Sequence, residues 1–151
     1  MKSTKRYLPV LAIGLVFFFT STLAAEITAN FDSTLNLPTL PCVNNLPLVV
    51  TGPTTVNIHD NPVGDDTHVT VHLQIKAEGQ DEAGNHYQVN LEGNAQFDAA
   101  ASSYDVPFHS QWVGQGSAVN FPLSGVITVS INDDGTVSTM AKSVDLPDCT
   151  N

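Results

Sequence analysis

His68 and His72 are the first residues whose types suggest chemistry, because two histidines four apart on a helix present a zinc-binding pair on one face. Here they stand in a stretch that alternates polar with apolar residues. On an extended chain four residues span about 13 Å, too far for one zinc ion to bridge, so the pair reads as two polar side chains on the wet side of a strand. The segment Asp60-Asn61-Pro62-Val63-Gly64-Asp65-Asp66 is the second candidate. Its carboxylates, Asp60, Asp65 and Asp66, make the kind of oxygen-rich loop that accepts calcium, the one cofactor the sequence raises. The EF-hand spacing and its closing glutamate are missing, which leaves a solvated turn as the expected role.

Catalysis finds little to work with. Neither a Gly-x-Ser-x-Gly elbow nor a His-Glu-x-x-His zinc motif occurs, and the acidic residues fall mostly in turns or on polar strand faces rather than as a facing pair. An enzyme is not expected. The two cysteines, Cys42 and Cys149, form an even set in a small domain, and in an oxidising compartment such a set reads as one disulfide. It would close a loop of roughly 107 residues.

The compartment follows from the N-terminus. Lys2, Lys5 and Arg6 form a charged head, Leu8 to Phe19 a short apolar run, and Thr22-Leu23-Ala24-Ala25 a small-residue exit, which together predict a cleaved signal peptide over residues 1–25. The apolar run is well short of the roughly 20 residues a membrane span needs, so no span is expected. Cleavage would leave Lys76 and Lys142 as the only basic residues against all 15 acidic ones, a net charge near −13. Nucleic acids and anionic lipid surfaces are bound mainly by clustered Lys and Arg, and are excluded as partners. A secreted or periplasmic protein is expected.

The elements that position these residues are strands. From His86 to Asp98 every odd residue is apolar or small and every even one polar; Thr67 to Glu78 does the same, with His68 and His72 on the polar side. Between the two runs, Asp81-Glu82-Ala83-Gly84-Asn85 supplies a hairpin turn with Gly84 in the left-handed position. If Asp81 faces Asn85, then Ile75 meets Leu91, Ala77 meets Val89, Gln74 meets Glu92 and Lys76 meets Asn90. His72 then faces Asn94, and His68 lies near Asp98.

A second hairpin carries Ile127, Val129 and Ile131 into Asn132-Asp133-Asp134-Gly135 and back through Val137, Thr139 and Ala141. Tyr104 to Trp112 alternates too, with Pro107 suggesting an edge position or a bulge. Ile27 to Leu37 and Thr54 to Ile58 complete the expected strands. No stretch after the signal peptide has a helical period. The predicted core is Val69, Val71, Leu73, Ile75, Val89, Leu91, Phe97, Phe108, Trp112, Ile127, Val129 and Ile131.

Gly-Asp-Asp-Thr-His-Val-Thr-Val-His (64–72), the Asp-Glu-Ala-Gly-Asn turn between Gly79 and Tyr87, and Val-x-Ile-Asn-x-x-Gly (129–135) resemble small bacterial secreted proteins of unknown function with one all-β domain and a terminal cysteine. The likeness covers about half of the mature chain. It implies the fold and the compartment and carries over no catalytic residue.

Six to eight antiparallel strands in residues 26–151 predict a single-domain all-β protein, an antiparallel β-sandwich with a small β-barrel as the alternative. The functional expectation is a non-catalytic binding or surface-interaction module, with the polar strand face (His68, His72, His86, Gln88, Asn90, Glu92) or Trp112 and Tyr104 presented to a ligand or protein partner. The alternative is self-association as a structural subunit of an extracellular filament, through an open sheet edge or the Ile27 to Leu37 segment.

Overall fold

Alternation of apolar and polar residues continues through seven strands: β1 (Glu26–Leu37), β2 (Leu48–Val63), β3 (Asp66–Asp81), β4 (His86–Phe97), β5 (Ser103–Gly114), β6 (Phe121–Ile131) and β7 (Val137–Asp145). The structure is a computed structural model that describes residues 26–37, 46–63 and 66–145. The expected signal peptide, both cysteines and Asp65 lie outside the described residues. Each strand pairs antiparallel with the next, so the sheet order is the chain order. No helix occurs among the described residues.

One sheet curls on itself into a half-barrel, where the sequence favoured the two packed sheets of a sandwich. A sandwich needs connections that leave one sheet for another, and here each consecutive pair of strands is joined in a single ladder. The inward face carries the core: Leu48, Val50, Val56 and Ile58 of β2 are as buried as Val69, Val71 and Ile75 of β3. Most of the predicted core is buried, but Phe97 and Ile131 are only partly covered and pack against its margin. Tyr87, Tyr104, Val106, Phe121 and Leu123 join it instead.

The β3–β4 register is the predicted one, with Ile75 opposite Leu91, Ala77 opposite Val89 and His72 opposite Asn94. The β6–β7 hairpin also turns as expected, through Gly135 at a φ of 81°. Three expectations need correction. The strand expected over Thr54 to Ile58 runs from Leu48 to Val63, so that most of the supposed Asp60–Asp66 loop is strand. Pro107 lies in an interior strand, but at the point where the β4–β5 ladder has stopped at Gly93 and Phe108, so its missing N–H leaves no gap in that ladder. Trp112 is buried, as its place in the predicted core required, and Tyr104 is buried with it, so neither is presented to a ligand.

Asp81 anchors the β3–β4 turn. Its Oδ1 accepts hydrogen bonds from the amides of Ala83 and Asn85, both 2.9 Å, and its Oδ2 one from Asn85 Nδ2 at 2.8 Å. Burial pushes this carboxyl up, but the Asn85 side chain and the amides of Asn85, Ala83 and Gly84 together outweigh it and hold its pKa below the usual value. A depressed pKa means that the stabilisation is fully present above the unfolded-state value near 4 and is lost as pH falls through the folded value. Asp81→Asn is expected to cost about 1–3 kcal/mol at pH 7, with the difference from wild type shrinking in acid. Urea denaturation at pH 7 and pH 3 checks both.

The curl requires strands to approach more closely than a side chain permits. A Cβ at Gly79 would lie 2.0 Å from the Val49 carbonyl oxygen across the ladder. Backbone on both sides of that contact must shift to admit even a methyl group, so Gly79→Ala is expected to destabilise by about 1–3 kcal/mol in equilibrium unfolding.

Candidate functional site

Seven alternating antiparallel strands leave the first and last running in the same direction, so β1 and β7 could join only through a parallel ladder. Among the described residues no backbone pairing joins them; the sheet ladders run from β1 to β2 and from β6 to β7. Across this seam the hydroxyls of Ser33 and Thr139 stand 3.5 Å apart. Behind it lies a cavity of about 610 Å³.

Strand parity determines the cavity's chemistry. Phe31 and Leu35 of β1 face it from one side, and Leu91, Phe108, Trp112 and Ile127 form its floor. The floor's polar atoms are already engaged: Trp112 Nε1 donates to Ser110 Oγ at 3.0 Å, and Ser110 Oγ donates to the Leu123 carbonyl at 2.9 Å. Phe121 stacks on the Trp112 ring with centroids 5.5 Å apart. Phe31 and Leu35 remain only partly buried, because the space in front of them is unfilled. Leu37 and Val144 line the same cavity from opposite sides of the seam, and Met140, 69 % exposed, stands at its mouth.

Among the described residues Asp32 is the one ionisable residue at the cavity, and it lies on the outward, exposed side of β1. Sequence reading missed this site. The half-apolar alternation of β1 was visible, but not that β1 would end opposite β7.

The outer face is polar. His68, His72, His86, Gln88, Asn90 and Glu92 are all exposed on it, as expected. His68 Nδ1 lies 3.5 Å from Asp98 Oδ1, which bears out the expected neighbour. A shallow groove across β2 to β5 brings His72, Glu92, Asn94 and His109 to one region, yet no group of three metal-ligating side chains converges among the described residues. Asp60 sits at an inward position of β2 and Asp66 at an outward one of β3, so the two carboxylates point to opposite faces of the sheet. On the outside of β5, Asp105 is bonded by Lys142 of β7 and by Thr128, and these bonds hold its pKa below the ordinary value.

Thr54 Oγ1 is a buried hydroxyl with no partner among the described residues, and it does not line the cavity. Thr54→Val is expected to raise stability by up to about 1–3 kcal/mol, the cost of an unsatisfied buried polar group, in urea titration. No helix of the described residues is long and apolar enough to cross a membrane. No family model, curated protein or solved structure matches the chain.

Proposed function

We propose that this chain is an exported, non-catalytic binding module that holds a small molecule in the chamber between β1 and β7. The observation that carries this reading is the partly uncovered apolar lining of a 610 Å³ cavity inside a sheet whose outer face is polar. That volume lies within the range of about 300–1,000 Å³ usual for small-molecule sites. Export is supported by the charged head, apolar run and small-residue exit of residues 1–25. A non-catalytic role is supported by the sequence, which carries neither a Gly-x-Ser-x-Gly elbow nor a His-Glu-x-x-His motif.

A second reading rests on the seam. β1 and β7 each keep one edge without a ladder partner, and a strand running antiparallel to both would complete an even-numbered barrel. Supplied by another copy, such a strand would build a filament. Light scattering of the processed protein over a concentration range, with and without calcium, separates the readings. A persistent monomer ends the filament; an ordered polymer ends the soluble module; calcium dependence would return the Asp60–Asp66 segment to consideration.

A further inference from the structure

We infer that the chamber takes an uncharged, lipid-like molecule bearing one hydroxyl or carbonyl group, an inference that rests on the binding-module reading above. The charge of the ligand follows from what faces it. A carboxylate or phosphate brought against this lining would lose its hydration and gain no counter-ion, a cost that an apolar site cannot offset. Among the described residues the cations are Lys76 and Lys142. Lys76 is exposed on the outer face of β3, and Lys142 is held by Asp105 on the outside of β5; neither lines the chamber. The excess of acidic residues over the whole chain further repels an anion from the seam, while Asp32 stands there alone as the charge at the mouth.

A cationic ligand is disfavoured by the same lining, because Asp32 faces outward and no other carboxylate among the described residues lines the chamber. What the interior does offer is a pair of hydroxyls. Ser33 and Thr139 contact each other at 3.5 Å, the limit of a hydrogen bond, and each hydroxyl has one donor and two acceptor positions. A ligand oxygen placed between them would gain bonds that their mutual contact does not use. Ser110 and Trp112 offer nothing comparable, since their polar hydrogens are already donated within the wall. The site therefore asks for an apolar body against Phe31, Leu35, Leu91 and Ile127 with a single polar atom at the seam.

Trp112 is the only tryptophan in the chain and forms part of the chamber wall, so its emission reports occupancy. The test titrates the processed protein with hexadecanol and, separately, with hexadecanoate, both below their aggregation limits and at pH 8. Hexadecanol is expected to give a saturable change in emission, with hexadecanoate weaker by at least about tenfold. Ala141→Phe places a ring into the chamber from an exposed position of β7, and should abolish the hexadecanol response while leaving the near-ultraviolet circular dichroism native. Equal or tighter binding of hexadecanoate overturns the inference about charge and leaves the chamber as a binding site. No response to either compound overturns the inference and the binding reading with it. A response that survives Ala141→Phe places the ligand elsewhere and overturns the inference too.

Discussion

Trp112→Ala is expected to lower the stability of this protein by about 3–5 kcal/mol, the usual cost of deleting a large buried aromatic side chain. Trp112 is 1 % exposed, stacks on Phe121 with an interplanar angle of 11° and donates its indole proton to Ser110. Removal enlarges a cavity that already stands beside it, and the neighbouring strands are held by their ladders from collapsing into the space. Ser110 Oγ keeps its bond to the Leu123 carbonyl, so the loss is chiefly one of packing. Urea denaturation followed by far-ultraviolet circular dichroism measures it without the tryptophan signal. A loss under about 1 kcal/mol would mean that Trp112 does not pack as the wall of the chamber.

The second large effect is expected from the cysteines. Cys42 and Cys149 lie outside the described residues, but the strands that lead to them are the two edges of the seam: β1 stops at Leu37, five residues before Cys42, and β7 at Asp145, four before Cys149. Leu37 and Val144 line the same chamber, so both strands finish at one end of it. The even cysteine count carries the expectation of one disulfide between Cys42 and Cys149. Closing a loop of roughly 107 residues is worth about 4–5 kcal/mol in chain entropy, and removing native bridges from small secreted domains costs about 2–5 kcal/mol. The double variant Cys42→Ser/Cys149→Ser should lose stability in that range. Thiol titration with mass spectrometry of the unfolded, unreduced chain is the direct check, and two free thiols would end the expectation.

Much of the fold was legible locally. The pairing of Ile75 with Leu91 and of Val129 with Thr139 follows from side-chain parity and from turns closed by Gly84 and Gly135, because a slip of one residue would turn every apolar side chain of a strand outward. The same parity put His68 and His72 on the wet face, and the strand rise over four residues ruled them out as a zinc pair. β2 was harder to read: Pro53, Asn57 and the Asp60 to Pro62 stretch carry loop residues, yet they lie in a strand of 16 residues because β1 and β3 pair with it on either side. Trp112 is buried as its place in the predicted core required, and only its alternative role as a presented aromatic fails. Alternation assigned it to the apolar face of β5, and only the curl of the sheet made that face an interior.

By itself, the sequence determined an all-β chain, its two clearest hairpins and the polarity of each strand face, since these depend on residues a few positions apart. The tertiary structure decided that there is one sheet rather than two, that β1 comes to face β7, and that a chamber opens between them. Ser33 and Thr139, 106 residues apart, meet because twist accumulates over seven strands and because backbones close in at positions such as Gly79. No local pattern encodes that sum.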